Sequence, residues 1–181
     1  MQRVMIIGQP GSGKSTLARA LGQAARLPVI HIDHIHWKPG WQERARDEKT
    51  AMCLEVQARP EWVFEGGHST TWADRAARAD TVIWLDLPLW LRGWRVLKRT
   101  LRYYGRSRPD LPENCPEHFS LEFYRFIWTT RQSWQIKAQA LIDGLGDDKT
   151  VYHLKSPRQV RAFMANMRAA LAQGNLGRPH R

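Results

Sequence analysis

The chain has 181 residues, with 28 Lys and Arg against 17 Asp and Glu, a formal net charge of +11. That length suits one ordinary domain, and 43% hydrophobic with 25% charged residues excludes wholesale disorder. The longest apolar candidate, Val82 to Leu91, is broken by Asp86 and Pro88 and falls far short of the roughly 20 residues of a membrane helix. Cys53 and Cys115 lie far apart without metal-type spacing and read as free thiols, which suggests a reducing cytoplasm. The excess of base favours anionic partners such as nucleotides, nucleic acid or acidic lipid. Nine tryptophans read first as builders of a small core.

In chain order, Val4 to Ile7 is a short apolar run ending at Gly8 and reads as a buried strand. Ser15 to Ala25 has helical spacing, with Leu17, Leu21 and Ala24 on one side. Val29 to Ile32 is a second strand, and Glu43 to Arg59 a polar helix stopped by Pro60. Trp62 to Phe64 and Thr81 to Leu85 are the third and fourth strands, followed by a long helix from Leu89 to about Tyr104. A Pro/Gly-rich stretch, Gly105 to Pro116, precedes a helix from about Phe119 to Ile142. Val151 to Leu154 is the fifth strand, and Ser156-Pro157 opens a last helix to about Ala172. Residues 174–181 read as a basic tail. Five buried strands alternating with helices predict an α/β three-layer sandwich, a parallel sheet whose ligand lies at the carboxyl ends of the strands.

Gly8-Gln9-Pro10-Gly11-Ser12-Gly13-Lys14-Ser15 fits G-x-x-x-x-G-K-[ST] in full, and Thr16 follows. Between a strand and a helix, that pattern is a P-loop. Gly8, Gly11 and Gly13 let backbone N–H groups, Ser12's among them, curl round a phosphate at a helix N-terminus. Lys14 reaches the β- and γ-phosphates, and the Ser15 hydroxyl ligates Mg²⁺. No N-K-x-D guanine motif is present, and Asp86 is followed by Leu87, not by the glutamate of a motor ATPase.

Length and layout resemble the small P-loop kinases, among them the adenylate, shikimate and gluconate kinases. The resemblance is nearest to the bacterial adenylate-kinase-like proteins labelled DNA-topology-modulation (FlaR-type). It is carried by Gly8 to Thr16, by Asp33-His34 with Trp37-Lys38-Pro39-Gly40-Trp41, by Glu65-Gly66-Gly67-His68 and by Leu154-Lys155-Ser156-Pro157. It implies a P-loop NTPase sheet in the order 2-3-1-4-5, a single domain over residues 1–173, a lid at about 105–118, and transfer of the γ-phosphoryl of Mg·ATP to a small acceptor. A nucleoside or nucleotide is the first guess for that acceptor.

The resemblance also implies site roles. Asp33, 19 residues after Lys14, would take or orient the acceptor's proton. His34, Trp37, Glu65, Gly66, Gly67 and Arg131 would line the acceptor site. Glu65 and Asp86 compete for the water shell of Mg²⁺, and the two glycines suggest backbone running close to a ligand. Lys155 falls in the loop that walls the base. His31, Asp33, His34 and His36 do not close a tetrahedral metal set.

The fourth-strand helix carries Arg92, Arg95, Arg99, Arg102 and Arg106 on an arc of roughly 80°, with Trp90, Trp94, Leu97, Leu101 and Tyr104 almost opposite. No acidic residue occurs between Leu87 and Pro109, so the arginines have no local partners. In the kinase reading Arg95 and Arg106 hold nucleotide phosphates and Arg99 and Arg102 stabilise transition-state charge. The alternatives are a nucleic-acid-binding NTPase that uses this helix on a phosphate backbone, and a nucleotide-sensing regulator without turnover.

Overall fold

The computed structural model describes residues 1–173, so the basic tail lies outside the described residues. Seven strands and eight α-helices follow one another: β1 (Arg3–Gly8), α1 (Lys14–Ala25), β2 (Val29–His31), α2 (Ile32–His36), β3 (Trp37–Lys38), β4 (Gln42–Glu43), α3 (Arg46–Ala58), β5 (Trp62–Glu65), α4 (Trp72–Arg78), β6 (Thr81–Leu85), α5 (Leu89–Tyr103), α6 (Leu121–Thr129), α7 (Arg131–Asp143), β7 (Thr150–Leu154) and α8 (Pro157–Ala172). The main sheet has the order β2-β5-β1-β6-β7, all parallel, which is 2-3-1-4-5 once the small β3–β4 hairpin is set aside.

Period-two alternation divides the core between the two faces of this sheet. Met5, Ile7, Trp62, Phe64, Val82 and Trp84 pack against α2, α3, α4 and α7. Val4, Ile6, Val63, Ile83 and Leu85 meet α1 and α8 through Leu17, Leu21, Phe163 and Met167. Strands buried on both faces must be apolar throughout, which is why they were legible as continuous runs. Trp62, Trp72 and Trp84 are core residues as expected, but Trp90, Trp94 and Trp128 are more than half exposed.

Four local expectations are corrected. The second strand stops at His31, and Asp33 stands on the short helix α2, not at a strand end. Ile32 and Ile35, three apart, bury one face of that helix in the core. Trp37 to Trp41 belong to the β3–β4 hairpin, turned by Gly40 and Trp41, both at left-handed φ of 77° and 57°. The helix expected over 119–142 is two, because Thr129 and Thr130 bond their hydroxyls back to the Arg125 and Phe126 carbonyls and the chain breaks at Thr130. The carbonyls of Thr130 and Arg131 accept from Gln9 Nε2, at 3.3 and 3.2 Å, which ties the break to the P-loop. Finally, α4 had no sequence counterpart. It is a two-turn helix too short for periodicity to reveal.

Helix α5 sets the first part of its arginine stripe against the P-loop. The arginine side turns inward: Arg92 is buried and donates from Nε to the Leu87 carbonyl at 3.0 Å. Trp90, Trp94, Leu101 and Tyr104 face solvent. The cause lies at Gly11, where φ is +77° and an added Cβ would stand 2.4 Å from the Arg92 carbonyl oxygen. The P-loop and the polar side of α5 are in backbone contact, which leaves the apolar stripe no core to enter.

Candidate active site

The P-loop runs from the end of β1 into α1, with Gly13 left-handed at the helix N-cap. Lys14 Nζ donates to the Gln9 carbonyl at 3.2 Å, so the ammonium is folded over the loop it serves. Burial pushes its pKa down, against the pull of Glu65 and Asp33. Arg95 Nη1 caps the Ser12 carbonyl at 3.1 Å. The Ser12 hydroxyl is buried without a hydrogen-bond partner, and Ser15 and Thr16 open the first turn of α1.

Across from Lys14 stands a pair of carboxylates. Glu65, at the end of β5, is 3% exposed, and its Oε1 lies 2.7 Å from His31 Nδ1 at the end of neighbouring β2. The β2–β5 register sets His31 directly beside Glu65. Asp33 follows on α2, and its carboxyl is held above the usual aspartate range, first by burial and then by Glu65. Its side chain does not cap α2, whose N-cap is His31. The closeness of these two groups depends on Gly66. With φ +123°, its missing Cβ would lie 2.1 Å from Ile32 Cγ2. Gly66 therefore makes room for α2. Gly67 has open space at its Cβ position.

The loop after α5 closes on itself. Gly105 N–H donates to the Glu117 carbonyl and Glu117 N–H to that of Arg106, at 2.9 and 3.0 Å. The buried Glu117 carboxylate takes Arg99 at 3.3 Å, together with Arg108, and Arg108 also holds Asp110 at 2.7 Å. Asp110 in turn meets Arg19 of α1 at 3.6 Å. Of the α5 arginines, Arg99 thus has an acidic partner from beyond the segment that holds none, whereas Arg92 and Arg95 bond the Leu87 and Ser12 carbonyls. Arg92, Arg95 and Arg99 are engaged, while Arg102 lies over the Tyr103 ring and Arg106 is exposed. The hairpin docks here as well: Trp41 Nε1 donates to the Pro116 carbonyl at 3.0 Å, and Trp41 N–H to Cys115 Sγ at 3.3 Å.

A second cavity, of about 460 Å³, opens at the carboxyl ends of β6 and β7 between Gln9, Asp86, Arg92, Arg131, Trp134 and Lys155. Arg131 belongs to this cavity, with its Nη1 on the Trp128 carbonyl at 2.6 Å. Asp86 is 3.0 Å from His153 Nε2, and His153 stacks on Trp84 at 3.9 Å. His34 lines another groove beside β2 and α3, with Met52, Glu55 and Arg59.

Sequence reading does not reach Asp110 or Glu117, nor the pairing of His31 with Glu65. The histidines between 31 and 36 read as acceptor-pocket residues, but that pairing needs the strand order. Glu117 lies 18 residues after Arg99, and nothing in a linear reading joins them. The described residues contain no group of three or more His, Cys, Asp or Glu placed to hold a metal.

No family model matches the chain. In sequence it is similar to the cytidylate kinase of Pyrobaculum aerophilum, 28% identical over 138 residues that span 68% of this chain and 72% of that one. It is also similar to the shikimate kinase of Rhodopirellula baltica, 31% identical over 100 residues, 47% and 54% of the two chains. In structure it is similar to the shikimate kinase from Acinetobacter baumannii in complex with shikimate, with a TM-score of 0.58, 16% identity and coverage of 98% and 96%. The fold is that of the small P-loop kinases. The chain is a P-loop phosphotransferase. No helix among the described residues of this kinase is long and apolar enough to cross a membrane.

Proposed function

We propose that this kinase moves the γ-phosphoryl group of Mg·ATP to a small molecule held on the Asp33 side of the P-loop. The observation that carries the reading is the convergence of the P-loop's Lys14 with the carboxyl groups of Asp33 and Glu65, whose charges act on its ammonium. Binding of a triphosphate would draw Lys14 from the Gln9 carbonyl onto the phosphate oxygens. Arg95, Arg99, Arg102 and Arg106 are the lid-side cations, and Arg99 reaches phosphate by leaving Glu117. Asp33 would take the acceptor's proton as the bond to phosphorus forms.

The residues fit a magnesium ion. Ser15 offers its hydroxyl at the start of α1, and Asp86 or Glu65 could hold a bound water, since Mg²⁺ keeps several waters and takes few protein ligands. The ion would neutralise charge between the β- and γ-phosphates. The cavity bearing Lys155 and Arg131 suits the nucleoside part of ATP. His34, Trp37, Glu65 and Gly67 remain on the acceptor side. The finer likeness to FlaR-type proteins rests on the four sequence blocks named above.

Lys14→Ala tests the reading. Calorimetric titration with Mg·ATP should show binding lost while circular dichroism stays unchanged. Unaltered ATP affinity in this variant would refute it.

A further inference from the structure

Resting on that reading, we propose that the acceptor nucleophile is an alcohol hydroxyl of an uncharged molecule, such as a nucleoside or polyol, and not the phosphate of a nucleotide. Three sets of observations lead there.

The first is the inventory of cations on the acceptor side. A phosphomonoester needs at least two positive groups to hold its oxygens. Arg99 and Arg108 are the arginines whose charges reach Asp33; Arg99 belongs to the ATP side in that reading, and Arg108 is held between Glu117 and Asp110. Arg75 is fully buried, donates to the Gly66 and Gly67 carbonyls at 3.3 and 3.5 Å and to Thr71 Oγ1 at 3.2 Å, and lies 4.0 Å over the Phe64 ring. Lys49 is buried against Glu43 at 2.6 Å. Arg44 spans the Ile35 carbonyl and Glu48, and Lys38, the one cation of the hairpin tip, lies 3.3 Å from the same Glu48. Trp37 and Trp41 pack edge to face on each other at 5.2 Å.

The second is what the site offers in their place. Asp33 and the buried Glu65 stand on the acceptor side, with His31 Nδ1 2.7 Å from Glu65 Oε1. A phosphate dianion would have to enter against both carboxylates, whereas hydroxyl groups can donate to them.

The third is the balance of the reaction. An alcohol carries a proton that must leave as its oxygen bonds to the γ-phosphorus and the bond from that phosphorus to the β–γ bridging oxygen breaks. Asp33 accepts this proton, and the products are a phosphate ester and ADP. A phosphate oxygen is already unprotonated at neutral pH and requires no base, so a buried carboxylate would only repel it. This sets the chain apart from a relative named for cytidylate.

The test pairs each neutral acceptor with its own monophosphate: cytidine with CMP, deoxyadenosine with dAMP, ribose with ribose 5-phosphate. Transfer from labelled Mg·ATP is followed by product separation. We expect kcat/KM for a neutral member to exceed that of its phosphate partner by about 100-fold or more. Formation of a nucleoside diphosphate at comparable or higher efficiency would overturn the proposal while leaving the kinase reading in place. Should no acceptor be phosphorylated although Mg·ATP binds, slow hydrolysis by water becomes the readout. Its loss in Asp33→Asn supports a base acting on a hydroxyl, and its persistence overturns it. Absence of Mg·ATP binding would defeat the kinase reading itself and this proposal with it.

Discussion

Glu117→Gln removes one negative charge from the lid while keeping the side chain's shape. In the folded protein this carboxylate is 6% exposed, pairs with Arg99 and Arg108, and accepts from Thr100 Oγ1 at 3.4 Å. Breaking a buried ion pair at one partner costs about 3–5 kcal/mol, because the other charge remains buried and uncompensated. Arg108 keeps Asp110, so the loss falls mainly on Arg99, and the lower end of about 3 kcal/mol is expected. For a chain of this length, at roughly 2–4 °C per kcal/mol, the melting temperature should fall by about 6–12 °C. Saturating Mg·ATP should return much of that loss, since the triphosphate replaces the carboxylate at Arg99. The ligand-induced rise in melting temperature should therefore be larger in the variant than in the parent, measured by differential scanning fluorimetry across an ATP titration. An apo shift under 2 °C would refute the buried-pair reasoning. A normal apo shift with no extra gain from ATP would refute the exchange of Glu117 for phosphate.

Asp33→Asn should slow transfer by about 10²–10⁴-fold and remove the acidic limb of the pH–rate profile, which in the parent lies above the usual aspartate range. Because folding raises this carboxyl's pKa, stability is lost as pH rises through the folded value, so the same variant should melt higher than the parent at pH 7–8 and converge with it below about pH 4. Gly66→Ala, with an added Cβ 2.1 Å from Ile32 Cγ2 and φ at +123°, should destabilise by about 2–5 kcal/mol in urea unfolding, whereas Gly67→Ala should stay within about 1 kcal/mol. Among the α5 arginines the effects on turnover should be uneven. Arg99→Ala should cost about 10³-fold or more in kcat while Arg102→Ala stays near parent activity, and a graded additive series would speak instead for a nucleic-acid surface.

Much was legible because the chemistry is local. The P-loop is eight consecutive residues whose types are each required by a phosphate, and the strands are runs that had to be apolar on both faces. Their order could be stated in advance because right-handed crossovers and the resemblance leave few arrangements. What tertiary structure alone decided was direction and partnership. Helical spacing showed that α5 has an arginine stripe and an apolar stripe, but not which one the P-loop would meet. Contact at Gly11 set Arg92, Arg95 and Arg99 toward the P-loop side and left Trp90 and Trp94 in water. The Glu117 latch, the His31–Glu65 pair and the placing of Arg131 beside Lys155 all join residues that are distant in sequence. A linear pattern records spacing along one element, whereas these contacts are set by strand register, by the break at Thr130 and by the fold of the lid onto α5.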